Sequence, residues 1–82
     1  GAERHYRHAI EAAPEEATAA FNLGVVLEDL HRELQAIAAY ERATSSDPDF
    51  LDAYHNLVRL LEKRGDKAGA LRVLKRLRER SR

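Results

Sequence analysis

The segment from Ala19 to Pro48 reads AAFNLGVVLEDLHRELQAIAAYERATSSDP and decides the fold of this 82-residue chain. Apolar residues recur at every third or fourth place on either side of residues 30–32, and this pattern predicts two amphipathic helices joined by a short turn. Two neighbouring helices with so short a connection must run antiparallel. The segment therefore predicts a helical hairpin.

A glycine stands in the middle of the first helix of this hairpin, at position 24. A glycine inside a helix costs about 1 kcal/mol relative to alanine. Because the helices of a hairpin cross closely, we expect Gly24 to be the point of close approach, opposite the small residues Ala36 and Ala43. The side chains expected to fill the volume around this point are Leu23, Leu27 and Tyr40.

The hairpin segment recurs along the chain with a shift of 34 residues. Pro14 matches Pro48, and Asn22 matches Asn56. Further matches under the same shift are Ala2 with Ala36, Tyr6 with Tyr40, Ala9 with Ala43, Leu23 with Leu57, Leu27 with Leu61 and Ala36 with Ala70. A fixed period with two helices in each unit is typical of helical repeat proteins.

The central repeat reads Ala20-x2-Leu23-Gly24-x2-Leu27, then Ala36-x3-Tyr40, then Ala43, then Pro48. This resembles the tetratricopeptide repeat, whose pattern is W-x2-L-G-x2-Y, then A-x3-F, then A, then P. The opening aromatic residue is missing in the central repeat, and Tyr54 supplies it in the next. The resemblance covers essentially the whole chain. It implies an all-α fold of antiparallel helix-turn-helix hairpins stacked as a right-handed α-solenoid.

We expect a single domain over residues 1–82, with a partial repeat, a complete repeat over 17–50 and a last repeat over 51–82 that ends in a C-terminal capping helix. The five predicted helices are 2–12, 15–29, 33–46, 49–63 and 67–80. Pro14 and Pro48 stand at or just before helix starts, where a missing N–H is harmless. Gly65 and Asp66 predict a turn with a positive φ, followed by an N-cap.

Helix 2–12 is the second helix of its repeat, and its first helix is not part of the sequence. We therefore expect part of its apolar face, formed by Tyr6, Ala9, Ile10 and Ala13, to be exposed. Two explanations stay open: the chain is excised from a longer repeat array, or a second copy covers the face in a homo-oligomer.

Bulk composition limits the function classes. The chain has no cysteine, which excludes disulfides, thiolate metal sites and a cysteine nucleophile. No apolar run is long enough to span a membrane, and we expect a soluble chain, with a cytoplasmic location favoured. The net charge is zero, yet residues 1–50 carry 4 Lys/Arg against 10 Asp/Glu, and residues 51–82 carry 10 against 4. The two ends are therefore opposite in charge.

The resemblance implies that the first helices of successive repeats line a concave groove that binds a protein or peptide. The candidate groove residues are Thr18, Phe21, Asn22, Val25, Asp29, Asp52, His55, Asn56, Arg59 and Lys63. Asn22 and Asn56 hold equivalent places, and a carboxamide can pair with a peptide backbone whatever its sequence. His55, Arg59 and Lys63 are expected to favour acidic side chains at one end of the groove. A carboxylate clamp is not favoured, because Asp52 and Asn56 stand where its cations would be.

Other functions have weaker support in the sequence. His5, His8 and Glu11 are spaced for a metal but lack an HExxH pattern, so we expect no metal site and no cofactor. No nucleophile motif or phosphate-binding loop is present, so we expect no enzyme. The basic C-terminal end lacks aromatic residues that could stack on bases, which argues against nucleic acid. The alternative function is an assembly or scaffold element that self-associates through exposed terminal helix faces and opposite end charges.

Overall fold

The computed structural model describes the backbone of residues 2–80 and the side chains of residues 15–80. Its helices are α1 (Ala2–Asp29), α2 (Glu33–Ser46), α3 (Leu51–Lys63) and α4 (Lys67–Arg80). No strand occurs within the described backbone, so the prediction of an all-α fold is confirmed. The bounds of α2 and α4 are those expected from the sequence. Helix α3 begins two residues later than predicted, because the backbone N–H of Asp49 binds the carboxylate of Asp47 in a turn.

Helix α1 corrects the predicted boundary at Pro14. The sequence predicted separate helices over 2–12 and 15–29, whereas α1 is one helix across both ranges. Proline removes one backbone hydrogen bond, but its fixed φ near −65° is compatible with a helix. The flanking stretches HAIEAA and EEATAA are rich in alanine and glutamate, which are strong helix formers. The side chains of the predicted N-terminal apolar face lie outside the described residues.

The two turns between helices of a hairpin have the same geometry. After α1, the N–H of Arg32 binds the carbonyl of Leu27 and His31 has a φ of 62°. One repeat later, the N–H of Asp66 binds the carbonyl of Leu61 and Gly65 has a φ of 82°. Both are helix C-caps closed by a residue in the left-handed region. The predicted positive φ at Gly65 is therefore confirmed, and the 34-residue repeat extends to backbone geometry.

Asp66 also begins the last helix as predicted. Its carboxylate accepts a hydrogen bond of 2.8 Å from the backbone N–H of Gly69 in the first turn of α4. Such a bond satisfies an N–H that has no partner inside the helix. The turn sequence RGDKAG thus ends α3 and starts α4 within a few residues.

The core is centred where α2 packs against its neighbours. Tyr40, Leu57 and Leu60 are fully buried in one cluster, and Ala43 and Ala53 belong to a second. Phe21 packs against both clusters. Because these residues come from α1, α2 and α3, the core joins the two repeats rather than lying inside one hairpin.

Gly24 is buried at a close approach, as predicted, but its neighbour differs from the expectation. A Cβ atom at this position would lie 2.5 Å from Cε1 of Tyr40, so the glycine makes room for an aromatic ring rather than facing only alanines. Leu27 packs against the core. Leu23 does not, and its predicted role in filling the hairpin is wrong, since half of its side chain is exposed.

Candidate functional site

Nine of the ten predicted groove residues form an outward-facing stripe on the first helices of the two repeats. We call this stripe the α1/α3 surface; it consists of Thr18, Asn22, Val25, Asp29, Asp52, His55, Asn56, Arg59 and Lys63. All except Asn56, which is half-buried, are exposed. The spacing of three or four residues places the members on one face of each helix. These side chains are therefore accessible, and their role in a binding groove stays a prediction.

Phe21, the tenth predicted residue, has a different role. Its ring lies 5.8 Å from the ring of Tyr40 and 5.1 Å from the ring of Phe50, between ring centroids. Tilted rings at these distances are a favourable packing arrangement. Phe21 therefore helps to hold α1 against α2 and the start of α3, and the apolar member of the α1/α3 surface is Val25.

Glu28 is the centre of a hydrogen-bond network that joins α1, α2 and α3. The hydroxyl of Tyr40 donates to Oε1 of Glu28 at 2.7 Å. Arg59 donates to both carboxylate oxygens, at 2.7 and 3.0 Å. The side-chain amide of Asn56 donates to the hydroxyl of Tyr40 at 3.4 Å. A bidentate arginine–carboxylate pair fixes orientation as well as distance, so this network sets how α3 lies on the preceding hairpin.

The network shifts the titration of its members. The hydrogen bonds from Arg59 lower the pKa of Glu28, although partial burial opposes them. Burial, reinforced by the neighbouring Glu28, raises the pKa of Tyr40 to about 12. At neutral pH the glutamate is therefore ionised and the tyrosine protonated, which is the combination that the observed bonds need.

A second ion-pair cluster lies at the end of α3. Glu33 accepts from Lys63 at 2.9 Å and from Arg64 at 3.0 Å, and these bonds lower the pKa of Glu33. Two of the three cations predicted to face an acidic ligand, Arg59 and Lys63, are thus already paired within the molecule. Exposed ion pairs of this kind are weak and can exchange partners.

Sequence reasoning missed the ion pairs of Glu28 and Glu33 and the hydrogen bond of Tyr40, although it predicted a packing role for Tyr40. A signal for two of them was present, because Glu28 pairs with Arg59 and Glu33 with Arg64, each at a separation of 31 residues. Asp49 and Arg80 form a third pair at that separation. This separation is shorter than the 34-residue repeat by about one helical turn. Two residues that lie this far apart therefore belong to neighbouring repeats. Searching for opposite charges at this spacing would have found the inter-repeat contacts.

A cavity of about 710 Å³ lies away from the α1/α3 surface, between α2 and α4. Its apolar lining is Leu34, Ile37, Leu61 and Val73, and its charged lining includes Glu41, Arg64, Arg72, Lys75, Arg76 and Glu79. None of the ten predicted groove residues lines it. Charges of both signs surround it, so its lining indicates no particular ligand.

Among the residues whose side chains are described, no group of three or more His, Cys, Asp or Glu is placed to hold a metal ion. The side chains of His5, His8 and Glu11 lie outside that part of the chain. Within the described segments, no helix has the length and apolar character needed to cross a membrane.

The 34-residue repeat, the matching turns and the shared inter-repeat core define an α-helical repeat protein. Two tetratricopeptide repeat family models match the chain, one over residues 1–49 and the other over residues 29–82. Each match covers more than half of the sequence, so the chain belongs to the tetratricopeptide repeat family. Members of this family are in general protein–protein interaction modules. No curated protein and no solved structure matches the chain significantly.

Proposed function

We propose that the chain binds an extended peptide or protein segment along the α1/α3 surface. The observation that supports this most directly is the exposed stripe with an asparagine at the same place in each repeat, Asn22 and Asn56. An extended chain exposes backbone donors and acceptors at regular intervals, and amides at a regular repeat can pair with them.

The two asparagines offer different numbers of free groups. Asn22 is exposed. Asn56 uses one amide proton on the hydroxyl of Tyr40, which leaves its second N–H and its carbonyl oxygen for a ligand. This internal bond also orients the Asn56 side chain before binding, which lowers the entropy cost of forming a new contact.

The charges on the surface favour a neutral or basic ligand. Asp29 and Asp52 are exposed carboxylates, whereas Arg59 and Lys63 are paired with Glu28 and Glu33. An acidic ligand would have to displace these internal partners. The sequence alone suggested an acidic preference at one end, and the ion pairs argue against it.

The test is a peptide-array screen followed by fluorescence anisotropy on the best peptides, using the intact chain. We expect Asn22→Ala and Asn56→Ala each to weaken binding several-fold. Gln35→Ala is the matched control, because Gln35 is an exposed amide on α2, away from the α1/α3 surface. Binding that is unchanged in both asparagine variants, or that falls equally in the Gln35 variant, would contradict the proposal.

Self-association, the alternative suggested by the sequence, would use the outer faces of the repeats rather than the α1/α3 surface. It is supported by large apolar side chains that are exposed at both ends of the described hairpins, such as Leu23 on α1 and Leu71 on α4. Peptide binding depends on Asn22 and Asn56, and self-association depends on the exposed leucines, so the two functions make separable predictions for these residues.

A further inference from the structure

An apolar face of α1 lies beside the α1/α3 surface and is separate from it. We call this the front face; it consists of Ala19, Leu23, Val26 and Leu30. Its three large side chains are 50, 52 and 56% exposed, respectively. They recur at spacings of three and four residues, which is the pattern of a helix face that packs on another helix.

Three of the four positions of this face are buried one repeat later, and the fourth, Leu30, corresponds to the exposed Arg64. The 34-residue shift carries Ala19, Leu23 and Val26 onto Ala53, Leu57 and Leu60, and all three of these are 0% exposed. Leu57 and Leu60 share a cluster with Ala36 and Tyr40 of α2. The front face therefore has the composition of a helix face that packs against the second helix of a preceding repeat, as α3 packs against α2.

The opposite end of the molecule presents the complementary kind of surface. We call it the back face; it consists of Glu62, Lys67, Ala70, Leu71 and Leu74, which line a cavity of about 290 Å³. Leu71 is 66% exposed and Leu74 is 42% exposed. Under the 34-residue shift, Leu71 and Leu74 correspond to Ile37 and Tyr40. In the central repeat, Tyr40 lies in the core cluster with Leu57 and Leu60 of α3, and Ile37 packs against that cluster.

We propose that the front face of one copy docks on the back face of a second copy and repeats the packing of α3 on α2. The occupant is a second copy because each face is the sequence-shifted counterpart of one half of an interface that the chain already forms. This deepens the self-association alternative and does not depend on peptide binding.

Charge supports the same register. Inside the molecule, Lys63 pairs with Glu33. In the docked pair, Asp29 of one copy takes the position of Lys63, and Lys67 of the other copy takes the position of Glu33. The ion pair is therefore kept, with its two charges exchanged. Two features weaken the contact. The shift replaces the Arg59–Glu28 ion pair with Val25 and Glu62, which cannot pair. It also replaces the Arg76–Thr44 hydrogen bond with Arg42 and Arg78, which repel each other. We therefore expect a weak association, and an open head-to-tail chain rather than a closed dimer, because the two faces differ.

Sedimentation velocity on the intact chain, over a range of concentrations up to the solubility limit, tests the proposal. We expect the average mass to rise with concentration. Leu23→Glu should block the front face and Leu74→Glu the back face, each weakening association about tenfold or more. Leu34→Glu is the matched control, since Leu34 is exposed and belongs to neither face. Circular dichroism checks that each variant stays folded.

Mixing the two blocked variants is the sharpest measurement. The Leu23→Glu chain keeps its back face and the Leu74→Glu chain keeps its front face, so the mixture should form dimers and nothing larger. Asp29→Lys and Lys67→Asp should each weaken association, and the double variant should restore it. Asp29 also lies on the α1/α3 surface, so Lys67→Asp, which changes no residue of that surface, is the variant that separates association from peptide binding. A monomer at all concentrations would overturn both self-association and the assignment of faces. Association that survives Leu23→Glu, or that Leu34→Glu abolishes, would overturn the faces alone.

Discussion

Leu23 and Leu57 occupy the same position in successive repeats, yet one is half exposed and the other fully buried. The difference is not in the helices themselves, since α1 and α3 share the hydrophobic pattern and end in the same kind of C-cap. It arises because α2 lies against α3, and no described helix lies against the corresponding face of α1. Burial in a repeat protein is thus a property of neighbours, since each repeat packs on the one before it.

The largest expected effect comes from the residue that fills the space between repeats. Tyr40→Ala should lower the free energy of unfolding by about 3–5 kcal/mol, because Tyr40 is fully buried and also binds Glu28. Leu74→Ala, at the equivalent position of the last repeat, should cost less than about 1 kcal/mol because its side chain is partly exposed. Urea denaturation followed by circular dichroism measures both. Equal losses would show that the two repeats are packed alike.

The second test compares equivalent leucines on α1 and α3, the first helices of the two repeats. Leu57→Ala should destabilise the chain by about 2–5 kcal/mol through a cavity in the core, whereas Leu23→Ala should cost about 0.5 kcal/mol or less. Measurements at low protein concentration keep any association from adding to the result. A large cost at Leu23 in the monomer would mean that the front face is covered within one chain.

The third test concerns the close approach at Gly24. Gly24→Ala should destabilise by about 1–2 kcal/mol, because the overpacking against Tyr40 exceeds the gain in helix propensity. In a Tyr40→Leu background the same change should become neutral or stabilising, since the ring is gone. Thermal and urea unfolding of the unmodified chain, the two single variants and the double variant give a double-mutant cycle. Additive effects would indicate that the ring is not the reason for the glycine.

The fourth test compares the two left-handed C-caps. His31→Gly should stabilise the chain by up to about 1 kcal/mol, because a non-glycine residue at positive φ carries a steric cost. Gly65→Ala should destabilise it by a similar amount for the same reason. The melting temperatures of both variants measure the difference. The two variants should shift the melting temperature in opposite directions. A loss of stability in both variants would point to an interaction of His31 beyond its backbone.

The smallest effect is the pH dependence of the Glu28 network. Arg59 lowers the pKa of Glu28 below its ordinary value of 4.5 in the folded chain. The glutamate therefore stabilises the fold above that value, and the contribution is lost as pH falls through it toward the lower folded pKa. Solvent screening limits the effect to about 1 kcal/mol or less.

Urea unfolding at a series of pH values between neutrality and acid checks this prediction. Glu28→Gln should reduce the acid dependence of stability, and Glu62→Gln, which changes the equivalent exposed residue, serves as the control. An identical pH profile in the Glu28 variant and the unmodified chain would remove Glu28 from the acid response.

Local features of the chain were well determined by local sequence. The positive φ at Gly65, the cap at Asp66 and the bounds of α2 and α4 follow from residues within one or two turns. The predicted helix boundary at Pro14 was wrong, because a proline often starts a helix but can also lie within one, as it does in α1. The accessibility of the α1/α3 surface follows from helix periodicity, and its role as a binding groove stays a prediction. The pairing of Arg59 and Lys63 was not predicted, because it depends on residues of another repeat.

By itself the sequence determined an α-helical protein with a 34-residue repeat, paired helices and a glycine at their close approach. These features follow from backbone geometry and from hydrophobic spacing, which act over a few residues. Only the tertiary structure decided that Tyr40 faces Gly24, that Glu28 joins three helices, and that Leu57 is covered while Leu23 is not. The physical reason is that a helix face is buried only where another helix lies against it, and the same pattern can therefore serve as core or as surface.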